Sequence, residues 1–147
     1  MPLEFSAGAI IFRREKGKTL YLLLKYSYDD YSHWDYVKGI IGDTVKGEKA
    51  QEAAMREAEE EAGITGLKFV QGFRHKIEYF FRKKEDGKTY HKTLTLFLAE
   101  TKQKKIKLSF EHADYKWLEY KEALKQLTYD NAKESLKKAN DFLKKKK

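Results

Sequence analysis

The chain has 147 residues, no cysteine, 41% apolar and 14% aromatic residues, and a formal charge of +8. A chain of that length and apolar content can build a core without crosslinks, so a disordered polymer, a disulfide scaffold, a thiol nucleophile and cysteine-ligated zinc are excluded. The start, MPLEFSAGAIIFRR, has no basic leader before a long apolar run, and no segment reaches the roughly 20 apolar residues of a membrane span. A cytoplasmic location and no membrane partner are therefore expected, and nothing points to an obligatory protein partner.

In chain order, FSAGAIIFRR reads as a strand, GKT as a turn and LYLLLKYS as a buried strand. Residues 27–47, SYDDYSHWDYVKGIIGDTVKG, read as a long loop with three tyrosines, a tryptophan and a histidine, the kind of segment that carries function. EKAQEAAMREAEEEA is a helix of strong helix formers, closed by Gly63. LKFVQGFRHKIEYFF and YHKTLTLFLAE follow as strands around the turn RKKEDGKT. Leu94, Leu96 and Leu98 alternate with Thr93, Thr95 and Phe97, as in a sheet with one face in the core. YKWLEY is a short strand, and KEALKQL and NAKESLKKANDFLKK are helices. The pattern predicts an α/β fold, a mixed sheet with helices on its faces. With no repeat, no linker and one proline, the chain reads as a single domain over 1–147, ending in a frayed basic tail at 144–147. The positive surplus suits nucleic acid, nucleotides or anionic lipid, or serves solubility alone. The 37% of charged residues, rich in Lys and Glu, is a composition common among thermophile proteins.

The helix is acidic although the chain is basic. At 100° per residue, Glu57, Glu60 and Glu61 stand at i, i+3 and i+4 and share a face, with Glu52 and Glu59 on the other side. Ala50 and Ala53 share that face one turn earlier and are read as clearing space beside the carboxylates. Ala54, Ala58 and Ala62 continue toward a flank that can pack on a sheet. Three converging carboxylates repel one another unless a counter-charge arrives. A hard divalent cation such as Mg²⁺, with Mn²⁺ as the alternative, supplies one and shares its shell with phosphates. A merely solvated acidic face is the other reading.

From Gly42 the sequence reads GDTVKGEKAQEAAMREAEEEAGI. It resembles the Nudix box, G-x5-E-x7-R-E-U-x-E-E-x-G-U with U a bulky or aliphatic residue. Gly42, Glu48, Arg56, Glu57, Glu60, Glu61, Gly63 and Ile64 fall in register, and Ala58 is a small occupant of the first U position. The box covers 23 of the 147 residues. The resemblance implies a Nudix-type α/β/α sandwich and hydrolysis of a nucleoside diphosphate linked to another group. It implies Glu57, Glu60 and Glu61 as metal ligands, Arg56 orienting Glu48, and Gly42 and Gly47 turning the backbone around phosphates.

Three further stretches resemble the animal and archaeal diadenosine tetraphosphate hydrolases of that family: SHWDYVKG at 32–39, GFRHKIEYFF at 72–81 and LSFEHADYKWLEYKEAL at 108–124. By that resemblance His33 and Lys38 contact the polyphosphate. Glu111 lies near the metals as an extra ligand or general base, and Tyr79 and Tyr129 sandwich an adenine, where stacking is worth roughly 1–3 kcal/mol per base. Taken alone, His33 reads equally as a loop histidine, Lys38 as a solvated lysine, Tyr79 as a core aromatic, Tyr129 as packing on Leu127, and Glu111 as a turn cap. His112 receives no role. VKGIIGDTVKGE lacks the proline of the family's PKG segment and is about three residues longer, which leaves either Gly39 or Gly42 as the family's loop glycine. The substrate expected is a dinucleoside polyphosphate, diadenosine tetraphosphate split to ATP and AMP. The alternatives are a pyrophosphohydrolase acting on RNA 5′ ends or nucleoside triphosphates, and a non-catalytic nucleotide- or RNA-binding module on the same fold.

Overall fold

The computed structural model describes residues 1–28, 31–42 and 45–146. Its centre is β1 (Leu3–Glu15), which runs parallel to β7 (Thr89–Glu100) from the pair Leu3–His91 to the pair Phe12–Glu100. The opposite edge of β1 is shared. Its first half pairs with β4 (Val37–Ile40) and its last residues with β2 (Lys18–Tyr28), both antiparallel. Gly8 permits the first pairing, since a side chain there would strike the Val37 carbonyl and Lys38. β2 carries β3 (Tyr31–Asp35) and β8 (His112–Leu118); β7 carries β5 (Lys68–Phe69) and β6 (His75–Arg82). Together the described strands form one mixed sheet.

Helices cover both faces. Ala7, Ala9 and Ile11 of β1 point to α1 (Ala50–Ala62), where Ala53, Ala54, Ala58 and Ala62 are fully buried. Ile10 and Phe12 point the other way, to α2 (Tyr120–Gln126) and α3 (Asp130–Lys145), and meet Ala123, Leu136 and Ala139. The alanine flank brings the α1 backbone close to the sheet. Its C-terminus is set by Gly63, whose positive φ of 66° and N–H bond to the Glu59 carbonyl close the last turn.

The α/β sandwich with a mixed sheet is as expected, with four differences in detail. Residues 27–47 are not one loop: β3 and β4 lie within the segment, because Trp34, Tyr36 and Val37 have core to fill on the sheet. Asp29, Asp30, Asp43 and Thr44 of that segment lie outside the described residues. LKFVQGFRHKIEYFF is two strands, broken at Gly72, whose φ of 92° does not suit an extended strand. Both faces of β7 are covered, since Leu94, Leu96 and Leu98 enter one core while Thr95 and Phe97 are also buried. The basic tail is helical through Lys144 and Lys145.

Candidate active site

Arg56 organises the acidic helix. Its Nε and Nη2 donate to both oxygens of Glu48, at 2.7 and 3.0 Å, in a bidentate fork. Its Nη1 donates to Glu57 at 2.8 Å and to Glu60 at 3.1 Å, and its Nη2 also reaches the Ile40 carbonyl at 3.2 Å. Glu48 in turn accepts the Gly42 N–H at 3.0 Å, which fixes the turn after β4. That bond ties the Gly42 amide to the residue that Arg56 holds. The helix face also differs from expectation: Ala53 is buried in the core and does not clear space beside the carboxylates.

Glu57 and Glu61 are buried, while the Glu60 side chain stays 47% exposed. Gly39 lies against Glu57 so closely that a Cβ at position 39 would overlap the carboxylate. This identifies Gly39 as the glycine that lets β4 approach the acidic face. Glu61 accepts the Lys38 N–H at 3.0 Å and the Tyr26 hydroxyl at 3.3 Å. Burial raises the pKa of Glu57, opposed by Arg56 and reinforced by Glu60 and Glu111. Burial likewise lifts Glu61 to about 8, with the Lys38 amide opposing and the charges of Glu57 and Glu111 adding. Glu111 sits in the turn before β8, exposed to solvent. Its charge is felt at Glu57 and Glu61.

His112 Nε2 is 3.9 Å from Glu61, but burial pushes the His112 pKa down to about 4, so the contact is not an ion pair at neutral pH. Its Nδ1 bonds the Ser109 hydroxyl at 2.8 Å, and its ring packs edge-on against Tyr26 at 4.3 Å. Tyr26 and His112 thus wall off the buried side of Glu61, and neither was expected from the sequence. The only local signal was the adjacency of His112 to Glu111.

On the opposite face of the sheet lies a cavity of about 410 Å³, the size of a small-molecule site. It is lined by His33, Lys38, Tyr79 and Tyr129, all four named from the sequence, over an apolar floor that includes Ile77 and Leu94. Asp35, which the sequence reading passed over, anchors Lys38: Oδ2 accepts Nζ at 2.9 Å, while Oδ1 accepts the Tyr36 N–H. Burial opposes the charge of Lys38, but Asp35 and Tyr79 outweigh it and hold the lysine above its ordinary pKa. His33 is stacked on Tyr26 at 4.9 Å, and burial holds its pKa below the usual 6.5 against the pull of Asp35.

A second lysine was also missed. Lys92 faces Tyr79 across β6 and β7; burial and the charge of Lys38 lower its pKa, and the carboxylate of Glu4 at 3.3 Å supports it. Glu4 also holds Lys83 at 2.7 Å.

The donor chemistry of Glu57, Glu60, Glu61 and Glu111 suits a hard divalent cation: carboxylates only, of which Glu57 and Glu61 are buried and have pKa values raised chiefly by that burial. Among the described residues, no three acidic or histidine side chains already surround one point. The Arg56 guanidinium engages Glu57 and Glu60 instead.

Comparison with known proteins agrees with this geometry. The model of the NUDIX domain matches residues 2–139. The asymmetrical bis(5′-nucleosyl)-tetraphosphatase of Rattus norvegicus is 35% identical, with 94% of each chain covered. The crystal structure of a C. elegans Ap4A hydrolase binary complex superposes with a TM-score of 0.76 at 32% identity, covering 95% of this chain and 97% of that one. An RNA pyrophosphohydrolase of Nitratiruptor is 29% identical over 84% of this chain and 83% of its own.

Proposed function

The chain belongs to the Nudix hydrolase family, and from that premise we infer that it hydrolyses dinucleoside polyphosphates, splitting diadenosine tetraphosphate asymmetrically into ATP and AMP. One observation carries the reading: Lys38 joins the two halves of the site. Its side chain lines the aromatic cavity, while its backbone N–H holds Glu61 of the acidic helix. A nucleotide seated in the cavity thus has its phosphates led to the carboxylates by a single residue.

The base lies between Tyr79 and Tyr129, and Lys38 and Lys92 neutralise the phosphates beside it. His33 donates a hydrogen bond to the same chain. Nudix hydrolases generally work with a divalent metal, here Mg²⁺ with Mn²⁺ as substitute. When bound, it neutralises the bridging oxygens and lowers the pKa of water. Glu57, Glu60 and Glu61 are the residues that would hold it, and Arg56, which donates to Glu57 and Glu60, orients that acidic face. Glu111, exposed in the turn before β8, is the further ligand or the base that takes a proton from the attacking water. Gly39 leaves the Glu57 carboxylate room, and Tyr26 and His112 shield the inner side of Glu61.

The test is a product chromatogram after incubation with diadenosine tetraphosphate, with Mg²⁺ and then with a chelator. ATP and AMP in equal amounts, only with metal, are expected. Absence of cleavage would remove the substrate reading and leave the family intact. The likeness to the Nitratiruptor RNA pyrophosphohydrolase and the charge of +8 favour triphosphorylated RNA as the second substrate to try. A silent binding module fits less well, because every glutamate of the box is present.

A further inference from the structure

The cavity does not end at Tyr79. In the antiparallel pairing of β6 and β7, Ile77 faces Leu94, Tyr79 faces Lys92 and Phe81 faces Tyr90. Directly opposed residues share a sheet face, so the floor of the cavity continues along the hairpin as an aromatic and basic ladder. The Tyr79 and Phe81 rings are 6.3 Å apart, and the Phe81 and Tyr90 rings stack at 5.6 Å with 29° between their planes. Both outer rings are only half buried. Lys83 holds its ammonium 4.2 Å from the centre of the Tyr90 ring, and Lys92 lies 5.6 Å from that of Phe81. Glu4, buried between these two lysines, ties both to this face.

A flat pair of rings with cations above it matches an aromatic group joined to an anionic chain. A dinucleotide with one base between Tyr79 and Tyr129 still has a second base to place. We propose that Phe81 and Tyr90, with Lys83 and Lys92 beside them, form the subsite for the second nucleoside of the dinucleoside polyphosphate. This rests on the dinucleotide reading above. The platform adjoins Tyr79 along the hairpin, and its two lysines suit an anionic chain.

The experiment compares KM for diadenosine tetraphosphate with the inhibition constant of adenosine 5′-tetraphosphate, which lacks the second nucleoside. Tyr90→Ala and Phe81→Ala are each expected to raise the KM about 10-fold and to change the inhibition constant less than about twofold. Phe81→Leu keeps apolar cover on the hairpin and removes the stacking ring, so its effect separates base binding from a folding defect. Equal shifts for both ligands, or no shift in either, would overturn the subsite and leave the stack a device of the hairpin alone. A loss seen only with triphosphorylated RNA would reassign the platform and overturn it as well. Failure of the wild-type chain to cleave the dinucleotide would instead remove the function on which the subsite rests.

Discussion

At the scale of single residues, the acidic helix holds two kinds of carboxylate. Glu60 is exposed and tied to Arg56, whereas Glu61 is buried with one backbone amide and one hydroxyl as partners. Glu60→Gln and Glu61→Gln are each expected to lower turnover by about two orders of magnitude or more while circular dichroism stays native. Full activity in both would remove these glutamates from the metal site. Glu61 also makes stability depend on pH. Its folded pKa of about 8 lies above the ordinary 4.5, so its protonated form favours the fold. Stability of the metal-free chain is full below the ordinary value, falls as pH rises between the two, and is lost once pH has passed the folded value. Melting temperatures of the chelated chain from pH 5 to pH 9 should therefore decline about as that titration predicts, and Glu61→Gln should flatten the decline. An unchanged slope in the variant would assign the pH dependence to other groups. The residues of the box were legible because their chemistry depends on spacing along one helix. Tyr26, Asp35 and Lys92 were not, because their roles arise from strand pairings that join distant parts of the chain.

At the scale of elements, the instructive case is the stretch between β2 and α1. Polar and aromatic residues with scattered glycines read as loop, yet β3 and β4 form there because neighbouring strands offer hydrogen-bonding edges to both. Tertiary pairing overrides weak local preference in this segment. The same pairing decides which glycine meets the acidic face. The sequence left Gly39 and Gly42 both open, Gly42 by the spacing of the box and Gly39 by its place in the loop, while the structure places Gly39 against Glu57. Gly39→Ala should thus reduce kcat at least about 10-fold with a melting temperature close to wild type, because the added methyl displaces the Glu57 carboxylate and not a core side chain. Kinetics matching wild type would show that β4 shifts freely. Helix α1 itself was legible almost to the residue, since alanine, glutamate and a terminal glycine agree at every level of its structure.

At the scale of the whole molecule, the sheet divides the work. Carboxylates of α1 lie against one face, and the aromatic cavity lies on the other beneath α3. The two sides meet along β4, where Lys38 lines the cavity and Gly39 lies against Glu57, and at Tyr26, which stacks on His33 and bonds Glu61. Tyr129→Ala should accordingly raise KM for the dinucleotide about 10-fold with little change in kcat, and Glu60→Gln should do the reverse. The double variant should show the product of the two effects, to within about twofold. A strong departure from that product would mean that the base and the metal ligands communicate through β4. The class of fold was readable from the alternation of elements, but this division was not, because it depends on which face of β1 each helix covers.

That division has a consequence for how such an enzyme diversifies. On the proposed reading, a change in the cavity walls or along the β6–β7 hairpin alters which molecule is chosen without disturbing the carboxylates of α1. The reactive half is constrained by one helix and one short strand, whereas the selective half is spread over a hairpin, a turn and the start of α3. A lineage built on this sheet can exchange its substrate many times and keep a single way of breaking a phosphate bond.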